Sequence, residues 1–202
     1  MWRLLQLADS GFPTGGYAHS GGLEAAIQLG ELVSLRRWLD DAVWAAAHGA
    51  LVLVRQAHRE GLGPADRAAQ IFLTGHVARR ASLAQGRALA AAAARAFPDS
   101  GIDSRGGHWA AVLGAVAAAV GLGVEEACAV ALHTVVRGAL SAAVRLGKIG
   151  PLEAQRVHAE LADTMTEAVR VSAGVDAPVQ TAPVAEICGG MQDGLYSRLF
   201  QS

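Results

Sequence analysis

From Ala65 to Phe97 almost every residue is a helix former, and the run halts only at Pro98, whose ring disfavours helical geometry in the residue before it. Gly75 and Gly86 are the expected interruptions. At 100° per residue, His76, Arg80, Leu83 and Arg87 fall on one stripe and Val77, Ala81, Ala84 and Ala88 on another. The alanine stripe lets a neighbouring helix come close, and the basic stripe reads as a solvated face.

The same period recurs along the chain. Ser20 is placed to cap a helix through Leu23, Ala26 and Ile27 that stops near Gly30. Ser34 caps the next, where Leu35, Trp38, Leu39, Ala42, Val43 and Ala46 predict a helix continuing through Leu53 to about His58. Gly61 and Gly63 end it, and Pro64 suits the first turn of its successor. The apolar run from Trp109 to Val124 falls short of the roughly 20 residues needed to span a bilayer, so it reads as a buried helix ending near Gly121. Gly123 breaks the pattern, and Glu125 and Glu126 open a helix to Leu146 with acid in its first turn. On it Val124, Cys128, Val135, Ala142 and Leu146 share a core face, opposite Glu126, His133, Arg137 and Ser141. Pro151 starts a helix through Val157, Leu161 and Met165 to about Ala173, and Ala182 to Cys188 forms a short one. Apolar residues are 52% of the chain and aromatics only 5%, so the core must be built from Ala, Val and Leu, with apolar surface to spare for a partner. The expectation is an all-α fold: one domain, residues 1–202, a bundle of roughly eight to ten helices with a short apolar C-terminal tail.

Several function classes fall away. A net charge of -1, from 17 basic and 18 acidic residues, supplies no field to steer nucleic acid or an anionic membrane. Cys128 and Cys188 are too far apart to suggest a disulfide framework or a closed zinc site, and a reducing cytosol is the simpler setting. Arg3, a very short apolar run and Asp9 do not have the layout of a cleaved signal. The histidines form no His-x3-His pair and no HExxH, so each alone reads as structural; His19, inside a glycine-rich loop, is the one to watch. Ser10 and Ser20 lack the strand-turn-helix setting of an activated nucleophile. No catalytic or metal constellation is legible, and none is expected.

Leu4 to Glu24 opens as an apolar turn, passes through a loop holding Gly11, Pro13, Gly15 and Gly16, and restarts at Ser20. No Gly-Lys-Ser/Thr ending makes it a phosphate loop. Phe12, Pro13, Gly16, Tyr17, Ser20, Gly22, Leu23 and Glu24 resemble the N-terminal motif of the UreF family of urease accessory proteins. Ser141 to Gly147, Gly150 and Gln155 resemble its Ser-Ala-Ala-Val-Arg-Leu-Gly motif. Tyr196-Ser197-Arg198-Leu199-Phe200, with Ser202 after one further residue, resembles its closing motif. Asp9-Ser10-Gly11, Pro151 and Met191 to Gly194 depart from the family pattern.

The resemblance implies a non-enzymatic, cytoplasmic scaffold that forms a homodimer. With UreD (also called UreH) it recruits the GTPase UreG to apo-urease, nickel being handled by the complex and no cofactor or metal being held by this chain. It implies a UreD/UreH contact through Phe12, Pro13, Tyr17, Leu195, Tyr196, Ser197, Arg198, Leu199 and Phe200. A GTPase contact would lie at the corner of Arg145, Gly147, Lys148 and Gly150. The rival readings are a helical metal-dependent hydrolase and a helical adaptor unrelated to urease.

Overall fold

The helix Val124–Arg145 (α8) is the element around which the others pack. In the computed structural model, which describes residues 1–202, it is flanked by helices from both halves of the chain. The eleven α-helices are α1 (Trp2–Ala8), α2 (Leu23–Gln28), α3 (Leu35–His48), α4 (Ala50–Glu60), α5 (Leu62–Phe72), α6 (His76–Ala96), α7 (Trp109–Ala119), α8, α9 (Pro151–Glu160), α10 (Ala162–Ser172) and α11 (Pro183–Met191). Short 3-10 turns cover Gly16–Ala18, Pro98–Ser100 and Gln192–Gly194, and there is no strand. α8 packs against α1, α2, α3, α4, α7, α9 and α10, while α4, α5, α6 and α7 form a second set of mutual contacts.

Local chemistry sets the ends of α8. The Gly123 N–H donates to the Glu126 carboxylate at 2.8 Å. Gly123 has no side chain to return the bond, so only half of a capping box exists. At the other end Gly147 takes a left-handed φ of 68°, and the N–H groups of Gly147 and Lys148 return to the carbonyls of Val144 and Ala143. That is a Schellman ending, and it turns Lys148 outward. α8 is also the one helix long and apolar enough to cross a bilayer, yet 56% of its apolar window is buried inside the protein.

Two main apolar clusters result, beside a trio of Ala57, Ala65 and Ala111. The larger joins 30 buried residues, mostly Ala, Val and Leu from α3, α4, α7 and α8. A smaller one of 8 sits apart under α2 and α11: Leu23, Ala25, Ala26, Trp38, Ala142, Ala143, Cys188 and Phe200. Cys128 is fully buried and burial pushes its thiol pKa up to about 11, so it is a small hydrophobe, as its place on the core face suggested.

The structure corrects several boundaries. The opening turn is a helix, α1. The helix expected from Leu35 to His58 breaks at Gly49, where a Cβ would sit 2.7 Å from the Phe72 ring. Gly63 lies inside α5 and does not end α4. The helix from Pro151 to Ala173 bends at Leu161 into α9 and α10. α8 is enclosed on more than one side, so Ala127, Val130, Ala131, Leu132 and Val136 are buried while Val124 and Val135 are only half-buried. Gly86 does not interrupt α6. A Cβ there would overlap the Gly107 carbonyl oxygen, so the glycine lets the following loop lie on the helix.

That loop delivers His108 into the interior. Its backbone N–H donates to Asp66 at 2.7 Å, and its ring nitrogens meet Gln70 Oε1 at 2.8 Å and Ser82 Oγ at 3.2 Å. One donor and one acceptor suit a neutral imidazole.

Two outcomes follow for stability. Helix propensity alone would make Gly86→Ala stabilising, but the overlap with Gly107 should make it destabilising by about 1–3 kcal/mol in urea unfolding. Burial lowers the pKa of His19, His108 and His133 below the ordinary 6.5, so the unfolded chain takes up protons that the folded one refuses. This stability is present above about pH 6.5 and is lost as pH falls from there through the lowered folded-state values, so the urea midpoint should drop between pH 7.5 and 5.5.

Candidate partner-docking site

Glu24 is an acid in an apolar segment, Leu23-Glu24-Ala25-Ala26-Ile27, at the start of α2. α2 begins at Leu23, not at Ser20, because Gly22 is left-handed (φ 86°). A Cβ there would lie 2.9 Å from the Ala185 carbonyl and the Gly189 nitrogen, so α2 can seat directly on α11. This points the Glu24 carboxylate inward, where the residue is 2% exposed. Its oxygens accept the N–H of Leu199 at 2.6 Å, the N–H of Phe200 at 3.1 Å and the Gln192 amide at 2.6 Å. Gln28 adds a long contact at 3.5 Å. A carboxylate removed from water requires such donors, and here most come from the chain's last residues.

The tail is stitched to the N-terminal loop along its length. The main-chain oxygen of Ser202 accepts from the Ser20 N–H and, at 2.8 Å, from the Ser20 hydroxyl, while the Ser202 hydroxyl lies 2.6 Å from His19 Nδ1. The Gln201 N–H donates to the Ala18 carbonyl at 2.8 Å, and Gln28 Nε2 donates to the Ser197 carbonyl at 2.9 Å. Asp193 ties the start of the tail to α6, accepting from Arg80 at 2.8 Å and Arg198 at 2.9 Å, with His76 at 3.2 Å. The Arg80 guanidinium holds the Asp193 carboxyl below its ordinary range. These pairs are exposed and screened, so they orient the tail more than they stabilise it. Part of the basic stripe expected to be solvated, His76 and Arg80, is therefore occupied.

Arg145, at the end of α8, reaches the same place. Its guanidinium lies over the Tyr17 ring, 3.8 Å from the centroid, and 4.2 Å from the centroid of Phe200, and it donates to the Tyr17 carbonyl at 2.5 Å. A cation against two aromatic faces couples loop, tail and helix end. Arg145, grouped with Lys148 by sequence, thus also belongs to the loop–tail surface. Gly147, Lys148 and Gly150 stand just beyond it, exposed, with open space where a Cβ would be on either glycine.

The expected contact residues divide into two sets. Phe12 is buried and stacked on Phe97 at 6.4 Å, Phe200 is buried in the smaller cluster, and Leu195 packs against it, so these three support the surface from beneath. Tyr17 (71% exposed), Tyr196 (105%) and Leu199 (52%) project from it, with Pro13, Ser197 and Arg198 also exposed. α11 adds Val184, Ile187 and Met191, an outward apolar stripe that the sequence reading missed. It also missed the role of Glu24, although a lone acid beside two glycines in an apolar run was a signal. Gln192, wholly buried and bonded to both Glu24 and the Phe200 carbonyl (3.2 Å), carries none. No three His, Cys, Asp or Glu side chains converge as a metal cluster, and His19 is engaged by Ser202.

The family model described as UreF matches residues 31–162, most of the helical body between the two ends. The urease accessory protein UreF of Mycobacterium tuberculosis (strain H37Rv) is 35% identical over 204 residues, covering 96% of this chain and 92% of the relative. Urease accessory protein F of Oryza sativa subsp. japonica is 30% identical over 220 residues, covering 99% and 84%, so the alignment takes in the ends as well. With the family model spanning more than half of the chain and these relatives aligned over nearly all of it, the chain belongs to the UreF family of urease accessory proteins.

Proposed function

We propose that this protein acts as a non-enzymatic, cytoplasmic scaffold in urease maturation, and that the loop–tail surface is where UreD/UreH docks. The observation that carries the reading is the pairing of exposed Tyr17, Tyr196 and Leu199 with a backbone already held by Glu24. Tyrosine and leucine side chains on a fixed backbone lose little entropy when covered, which is what a docking surface needs. The Lys148 corner, a lone ammonium displayed between two glycines, is the candidate contact for the GTPase UreG. In this reading the protein works as a homodimer, joins UreD/UreH and UreG to apo-urease, and couples GTP hydrolysis to nickel insertion by the complex. Membership of a urease accessory family supports the process; the partner assignments rest on the surface chemistry and the resemblance.

Co-expression with UreD and UreG from the same source, followed by size-exclusion chromatography with mass determination, should yield one complex containing two copies of this chain. Replacing Tyr196 and Leu199 together by alanine should weaken the UreD complex by at least about thirtyfold without shifting the thermal midpoint, since both side chains are exposed. An undiminished complex would remove the tail from the interface. Glu24→Ala should act differently. It strands three donors, two of them fully buried, so it should cost about 3 kcal/mol of stability, and amide exchange over residues 195–202 should accelerate together with the loss of UreD binding.

A further inference from the structure

α6 carries His76, Arg79, Arg80, Arg87 and Arg95 and no acid. His76, Arg80, Ala84, Arg87, Ala91 and Arg95 are all exposed and stand three or four residues apart, so they form one outward stripe along the helix. From Arg80 to Arg95 the stripe runs about 22 Å, with its guanidiniums roughly 10–12 Å apart, close enough for their fields to add at low salt. A shallow, open hollow of about 410 Å³ lies on it between Thr74, Arg79, Arg80, Leu83 and Arg87. One carboxylate meets these cations: Asp193, held by Arg80, Arg198 and His76. Arg79 is committed to the Gln70 and Leu73 carbonyls at the end of α5, whereas Arg87 and Arg95 enter none of the chain's ion pairs. The net charge of the chain is -1, so this is a local concentration of positive charge and not a basic protein.

The stripe borders the loop–tail surface. Asp193 stands where the tail begins, α11 packs on α6, and the N-terminal loop lies along the helix, Gly15 beside Ala88 and Gly16 beside Gln85. Exposed Tyr17, Tyr196 and Leu199 are therefore flanked by an edge of a single sign. Charges at the rim of an interface add little affinity but speed the encounter with a surface of opposite sign.

Other occupants fit less well. The outward residues between the arginines are alanines, with no aromatic ring to stack a base and no large apolar side chain to enter a bilayer. A second copy of this chain has few free acids to offer, since Glu153, Glu160 and Glu167 are already paired with Arg156, Arg36 and Arg170.

We propose that the exposed stripe of α6 is the steering rim of the docking surface, and that the protein partner seated on Tyr17, Tyr196 and Leu199 carries a row of carboxylates facing Arg87 and Arg95. Asp193 displays the mode of contact within the chain, a carboxylate gripped by Arg80 at the stripe's near end. The inference rests on the docking reading above.

The test follows association of the full-length protein with UreD, kept soluble as a maltose-binding-protein fusion, by biolayer interferometry in about 20 mM and about 300 mM NaCl. At low salt Arg87→Gln/Arg95→Gln should associate at least about fivefold more slowly than wild type, with the off-rate within about twofold, and the gap should close at high salt. Both side chains are exposed and glutamine is a good helix former, so the thermal midpoint should not move. Arg156→Gln/Arg170→Gln, which removes the same charge from α9 and α10, should stay within about twofold of wild type at both salt concentrations. Association of the Arg87→Gln/Arg95→Gln variant at the wild-type rate or faster, or an equal slowing by the α9–α10 control, overturns the steering rim and leaves the docking reading standing. No association of the wild-type chain removes the docking reading and the rim with it. A salt-sensitive dimer of this chain alone that Arg87→Gln/Arg95→Gln abolishes would give the stripe to a second copy, which also overturns the proposal.

Discussion

A buried carboxylate joins the two ends of this chain. Glu24 cannot lose its water without donors, and the donors nearest to it are the main-chain N–H groups of Leu199 and Phe200 and the amide of Gln192. The bond is therefore reciprocal: the tail has a defined path because Glu24 requires it, and Glu24 is tolerated inside because the tail is there. Phe200 then closes the smaller apolar cluster, and Arg145 lies against both Phe200 and Tyr17. Aromatic, carboxylate and guanidinium each complete the other's surroundings.

That arrangement depends on how closely the helices can approach. With few aromatic residues available, contact area comes from many small side chains brought near one another, and glycine appears where a backbone must touch a backbone. Gly22 seats α2 on α11, and Gly86 receives the loop that carries His108 inward. The larger cluster around α8 provides a rigid floor, whereas the smaller one relies on chain segments far apart in sequence.

Much of this was legible beforehand. Periodicity and caps such as Ser34, whose hydroxyl accepts the Arg37 N–H at 3.1 Å, located most helices, because those signals are local. The failures share a cause. Gly49 and Gly86 run against expectation because whether a glycine breaks a helix depends on what packs against it, Phe72 for Gly49 and Gly107 for Gly86. The resemblance assigns the motifs at the start and the end to one contact and the motif past the middle to another, but nothing in their spacing says that Tyr17, Arg145 and Phe200 touch. His133 and His158 likewise look unrelated until α9 folds back along α8.

The bond between residues 24 and 199 spans 175 positions, and this has a temporal side. At ordinary rates of synthesis, roughly 10–35 s separate the emergence of the carboxylate from that of its donors. During that interval Glu24 stays hydrated, the cluster beneath α2 lacks Phe200, and Arg145 is without one of its two rings. The outward surface of Tyr17, Tyr196 and Leu199 forms only after both segments have emerged. A partner that reads this surface is thereby reading the union of two distant segments, and neither segment alone presents it.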